Sequence, residues 1–129
     1  MCLAVIYLLD TLCHEALVTR PSVETRFADL TRALADLGLV RPGSLVERYM
    51  PCGRAPCTCM ADPPVLHGPY YQWSHKIRGK TVTRRLSKAQ AAACREWLRN
   101  HRQLKATVRK MEALSLRETD RILRTISDS

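Results

Sequence analysis

Four side chains in the middle of the chain have the types and spacing of metal ligands. Cys52, Cys57 and Cys59 stand in the run CGRAPCTC, and His67 follows eight residues after the third cysteine. Zinc takes four soft or borderline donors in a tetrahedron, and a loop bent by Gly53 and Pro56 can turn several thiolates toward one point. The expected result is a closed Cys3His zinc site. With all four positions filled there is no open place for a reacting water, so the metal would fold the loop and not catalyse. His75, Cys94 and His14 are the other candidates for the fourth ligand, and His67 also reads as a loop histidine with one backbone hydrogen bond. The cysteines themselves have two further readings, a disulfide loop or small unligated core thiols. A basic chain with no export signal speaks against the disulfide.

The elements that must position this cluster follow from pattern. At 129 residues the chain suits one domain, or one small domain with a helical appendage. Hydrophobic residues make up 46% of it but aromatic ones only 5%, so the core must be mainly aliphatic, as helices prefer. Apolar positions Cys2, Ile6, Leu9, Cys13 and Ala16 predict a helix over 2–18, with a short strand over 3–9 as the alternative. After Pro21, placed in a first turn, the stripe Val23, Phe27, Leu30, Leu34 and Leu37 predicts a helix over 22–37, ended by a left-handed Gly38. The two would form an antiparallel hairpin. SLVERYM (44–50) has strand composition, and PYYQWSHKI (69–77) and KTVTRRL (80–86) flank Arg78-Gly79 as a β-hairpin pairing Ile77 with Lys80. That register puts Tyr71, Trp73, His75, Ile77, Val82, Arg84 and Leu86 on one face. Tyr70, Gln72, Ser74, Lys76, Thr81, Thr83 and Arg85 take the other. A turn one residue longer would swap the second strand's faces.

Ser87 with Gln90 makes a capping box that opens a long helix over 88–113, with a seam at Cys94, Trp97, His101, Leu104, Val108 and Met111. A second box, Ser115 with Glu118, predicts a short final helix. The fold class is therefore α+β. It comprises a helical hairpin over 1–40, a zinc-stapled antiparallel sheet of about three strands within 41–86, and a long basic helix plus a terminal helix over 87–129.

The net charge of +9 is unevenly placed. Residues 1–40 hold 3 basic and 5 acidic side chains, 41–110 hold 15 and 3, and 111–129 hold 3 and 4. A polyanion is the natural partner of such a middle segment. Aromatic and basic residues interleave in YYQWSHKIRGKTVTRR, the composition in which Arg and Lys neutralise phosphates while aromatics stack on bases. The candidate phosphate contacts are Lys76, Arg78, Lys80, Arg84 and Arg85 on the hairpin, with Arg95, Arg99 and Arg102 on the helix. Tyr70 and Trp73 are the candidate stacking residues. Joined, these predict one continuous basic surface. The plainer readings are a solvated helix face for the arginines and core positions for Tyr71 and Trp73.

CGRAPCTC, then HGPYYQWSHKIRGKTVTRRLS, then a basic helix from REWLRNHRQL, resembles a family of short bacterial proteins of unknown function. The resemblance covers 43–114, and its core is Cys-x4-Cys-x-Cys followed by His-Gly-Pro-Tyr-Tyr. Members are often encoded near transposases, which implies a role on DNA. Carried onto this chain, the resemblance implies metal binding by Cys52, Cys57, Cys59 and His67.

These observations lead to an expectation of non-catalytic, zinc-containing nucleic-acid binding, DNA before RNA, as an accessory or regulatory factor of a mobile element. No carboxylate pair, activated nucleophile or Gly-rich phosphate loop points to an enzyme or a small-molecule substrate. The alternative is a zinc-stabilised adaptor that dimerises or docks onto a larger enzyme through its apolar helices. The run over 3–9 stops at Asp10, too short to cross a bilayer, and lacks a secretory cleavage pattern, so the expected location is cytoplasmic.

Overall fold

A computed structural model of the chain describes residues 20–126. The helix expected over 2–18, with its hairpin and the ligand candidate His14, lies outside the described residues. Those that are described form α1 (Val23–Ala35), β1 (Ser44–Met50), a single 3-10 turn (Thr58–Met60), β2 (His67–Ile77), β3 (Lys80–Leu86) and α2 (Lys88–Thr125). This is the expected α+β class, with an antiparallel sheet in the order β1-β2-β3. No helix among the described residues is long and apolar enough to cross a membrane.

The hairpin has the expected register. Ile77 faces Lys80, and Tyr71 faces Leu86 across a two-residue turn. Both turn residues have positive φ, 49° at Arg78 and 78° at Gly79, which matches the turn to the right-handed twist of its strands. β1 adds to the other side, placing Leu45 opposite Trp73 and Glu47 opposite Tyr71. One sheet face therefore carries Leu45, Tyr71, Trp73 and Leu86 and packs on α2. There Trp73, Cys94 and Leu98 form the buried core, with Leu45 and Leu86 against it.

Ser22 caps α1, its side chain accepting from the Thr25 N–H at 3.2 Å, and Pro21 lies just before the cap, not in the first turn. Gly38 is not the left-handed stop that the sequence suggested. The helix ends at Asp36 with αR geometry, and Gly38 serves close approach instead. A Cβ there would stand 3.3 Å from Nδ2 of Asn100, the amide that donates to the Leu39 carbonyl at 2.8 Å. This contact and the Arg41 N–H to Trp97 carbonyl bond (3.1 Å) tie the segment after α1 to α2. Val23 and Phe27 line one cleft with Ser115 and Thr119 at the other end, so α1 runs antiparallel to the C-terminal half of α2.

The largest departure is α2 itself, a single helix of 38 residues where two were expected. The capping box of Ser87 and Gln90 is present in both directions. Ser115 and Glu118 do not form a second one. An N-cap needs an extended backbone, but the stretch 88–125 contains no Gly or Pro, and Leu114 is 4% exposed against α1, so packing carries the helix through. The Ser115 carbonyl accepts instead from the Thr119 hydroxyl at 2.9 Å. The apolar seam also differs: Leu98 and Thr107 are buried, Trp97 is half-buried and Val108 is exposed. One straight seam could not hold because α2 packs on the sheet with one side and on α1 with another.

Candidate metal centre and basic surfaces

The ligand atoms of Cys52, Cys57, Cys59 and His67 all lie within 4.8 Å of one another. The Cys57 sulfur is 3.1 Å from His67 Nε2, and the sulfurs of Cys52 and Cys59 are 3.4 Å apart. Four donors around one zinc ion have edges of about 3.8 Å, as Zn–S bonds of ~2.3 Å in a tetrahedron require. The cluster is close to that size, and its donor set is one that soft or borderline cations favour. The four described cysteines, Cys52, Cys57, Cys59 and Cys94, are free thiols in this structure.

The loop that carries the thiols has little else to hold it. Gly53, at φ 71°, reverses the chain after Cys52, and the Cys57 and Met60 N–H groups close short turns onto Arg54 and Cys57 carbonyls. Cys59 is buried, yet Met60, Val65 and Leu66 are exposed, so the loop has no apolar core of its own. His67 comes from the sheet. β2 starts two residues earlier than expected, and the pairing shifts between Arg48 opposite Tyr70 and Met50 opposite His67. This bulge at Gly68-Pro69 aims the ring at Cys57. Gly68 is required there: at φ 151° a Cβ would stand 2.7 Å from the Tyr49 ring and 2.8 Å from the Arg48 carbonyl.

Electrostatics separate the thiols. The Cys59 backbone N–H, then the Cys59 thiol, the His67 ring and the Cys52 thiol, pull the Cys57 pKa down to about 6. The Cys52 N–H bonds the Cys59 sulfur at 3.3 Å and lowers its pKa, but burial and the neighbouring thiols outweigh it and hold Cys59 above the ordinary value. One thiolate is thus ready near neutral pH, and a cation would complete the deprotonation of the others.

The other ligand candidates lie elsewhere. His75 stacks on Trp73 with centroids 6.1 Å apart, and Cys94 is 1% exposed in the core.

The basic residues do not form one continuous surface. Alternation along β3 sends Arg84 and Arg85 to opposite faces. Arg85 shares the outer face with Lys76, Arg48 and Tyr70, and its guanidinium lies 4.9 Å from the Tyr70 ring centroid. Arg84, opposite Trp73 in register, instead lines a cleft of about 510 Å³ with Arg41, Gln90 and Trp97. Arg78 and Lys80 are exposed at the hairpin tip. Arg95, Arg99 and Arg102 line another cleft, about 460 Å³, between α2 and β1. Arg95 is drawn to the sheet there, 3.5 Å from Glu47 and over the Tyr71 ring. Trp73 is core, 7% exposed, because its indole N–H donates to the Pro42 carbonyl at 2.9 Å and α2 covers it; it offers no face to a base.

Sequence reasoning left out Arg117 and Arg124, because the break placed at Ser115 destroyed the helical register. Lys110, Arg117 and Arg124 recur at seven-residue intervals, and reading one helix through would have put them on the side of Arg102 and Arg109.

A family model described as a domain of unknown function, DUF6788, matches residues 21–100, more than half of the chain. No curated protein and no solved structure matches it. The match takes in α1, the sheet, all four clustered Cys and His residues and the start of α2, and the chain belongs to this DUF6788 family.

Proposed function

We propose that this chain is a zinc-stapled, non-catalytic nucleic-acid-binding protein, DNA before RNA. The observation that carries the reading is the cation row on α2. Arg99, Arg102, Arg109, Lys110, Arg117 and Arg124 are all exposed, and none is in an ion pair among the described residues. An exposed row of one sign raises the local potential for a polyanion, and phosphate neutralisation with counterion release is the sequence-independent part of nucleic-acid affinity. The outer sheet face adds Arg48, Lys76 and Arg85 among Ser, Thr and Gln side chains, with no carboxylate in its paired positions. Zinc is the ion that three thiolates and an imidazole suit, and it would hold the 51–66 loop against the sheet. The setting, an accessory factor of a mobile element, is supported by the family resemblance of the CGRAPCTC and HGPYY motifs.

The test is binding of the zinc-loaded chain to labelled DNA and RNA oligonucleotides across a salt series. Affinity that falls steeply with salt is expected; its absence for every oligonucleotide would overturn the reading.

An adaptor role is the second reading, favoured by the apolar end of the helical pair. Phe27 (38% exposed), Leu116 (63%), Leu123 (65%) and Ile126 (61%) face outward there. If Leu116→Gln with Leu123→Gln abolishes association with a partner protein while oligonucleotide binding is absent in the native chain, the adaptor reading replaces the first.

A further inference from the structure

Resting on the nucleic-acid reading, we propose that the ligand is double-stranded and is held by its phosphates along α2, with the sheet providing no platform for bases. Two independent observations carry this.

The first is that, among the described residues, the sheet presents no open row of rings for a single strand, and the two other aromatics, half-buried Trp97 and exposed Phe27, line separate clefts along different halves of α2. Strands bind by stacking successive bases on exposed rings. Trp73 and Tyr71 are buried at 7% and 8% exposure, with Arg41 and Arg95 over their rings. Tyr70 is half-buried and covered by the Arg85 guanidinium. Tyr49 is open at 54%, but its hydroxyl donates to the Glu47 carboxylate at 3.1 Å, which sets a negative charge where a strand would pass.

The second is the shape of the cation row. With about 100° between successive residues, Arg99, Arg102, Arg109, Lys110, Arg117 and Arg124 fall in a sector about 100° wide. Asp120 is the one α2 carboxylate inside that sector, and Ala106 and Ala113 leave room between the cations. The row rises about 38 Å from Arg99 to Arg124. Arg26 of α1 joins it, lining a shared groove with Lys110 and Arg117, while the nearby Asp29 is paired to Arg32. One turn of B-DNA is about 34–36 Å. The row therefore reaches from one crossing of the backbone to the next.

A duplex carries one charge per ~1.7 Å and is stiff over about 150 base pairs, so it lies along a rigid rod with no ordering cost. A single strand has fewer charges per length and must be straightened first, with no open row of rings on the sheet to offset that loss.

The experiment uses the full zinc-loaded chain and fluorescence anisotropy with a 24-base-pair duplex and an unstructured 24-nucleotide strand. Duplex binding at least tenfold tighter is expected. Six phosphate contacts give a salt slope of about −5, hence roughly a thousandfold loss between 50 and 200 mM salt. R117E/R124E should weaken duplex binding more than tenfold and flatten the slope by about two, with an unchanged circular dichroism spectrum. Tyr70→Ala should change affinity less than twofold, and duplexes under about 11 base pairs should bind progressively less well. A single strand bound as tightly as duplex, or Tyr70→Ala weakening binding more than R117E/R124E, overturns the duplex assignment and leaves nucleic-acid binding standing. Salt-dependent binding to neither probe overturns both.

Discussion

The Arg41 guanidinium lies 3.9 Å from the centroid of the Trp73 ring, and the same indole donates its N–H to the Pro42 carbonyl at 2.9 Å. Two adjacent residues of the segment between α1 and β1 thus hold one side chain of β2 from above and from the edge. Gly43 completes the approach: at φ 109° a Cβ would collide with the Ser74 carbonyl and stand 2.8 Å from the indole nitrogen. The indole is the joint between helices and sheet.

Trp73→Phe is expected to lower stability by about 1–2 kcal/mol, the loss of one hydrogen bond and part of a cation–π contact. Trp73→Ala should lower it by about 3–5 kcal/mol. Urea unfolding followed by circular dichroism measures both. A Trp73→Phe chain of native stability with lost oligonucleotide binding would show that the ring serves the ligand and not the core.

Arg78 holds φ 49°, a conformation that L residues with a full side chain adopt at a cost of about 1–2 kcal/mol. Arg78→Asn gives the Asn-Gly pair that this turn favours, and should raise stability by about 0.5–1 kcal/mol. Thermal melts of the zinc-loaded chain would register a rise of a few degrees; an unchanged or lower midpoint would contradict the turn geometry.

Ser115 distinguishes one long helix from two. In the middle of α2, Ser115→Ala should leave stability unchanged or raise it by about 0.3–0.5 kcal/mol, because Ala is the better helix former. As the N-cap of a separate helix, the same change would lower stability by about 1 kcal/mol. Denaturant midpoints of the two proteins decide by sign.

The sheet was legible because its signals are local. Arg78-Gly79 sets a turn of fixed length, alternation fixes the faces, and Ile77 opposite Lys80 follows from both. The metal cluster was legible for the same reason, since three thiols and an imidazole in sixteen residues converge in a loop that Gly53 and Gly68 bend. The helices were less so. Ser115 with Glu118 has the letters of a cap, but Leu114 buried against α1 decides the backbone, and that contact joins residues far apart in sequence. The side of Trp73 was read correctly from alternation, yet its burial depends on Pro42, Arg41 and α2 arriving from three directions. Alternation already put Arg84 and Arg85 on opposite faces, and the strand pairing keeps them there. The basic surface was misjoined because charge counted along the chain was added across both faces and α2, whose packing sends Arg84 and Arg95 into separate clefts.

Metal occupancy should depend on pH with a definite sign. Three thiolates and a neutral imidazole bind the ion, so protons compete with it: affinity falls as the solution is acidified and recovers as pH rises. Chelator at neutral pH should expose the 51–66 loop to protease while the contacts between α1 and α2, which involve no ligand, persist.

The most direct test of the account is native mass spectrometry of the chain purified under reducing conditions, with metal analysis of the same sample. One zinc ion per chain is the expected result, lost in Cys57→Ser with His67→Ala and kept in Cys94→Ala. A folded wild-type chain without metal, or one in which that double variant still holds the ion, would contradict it.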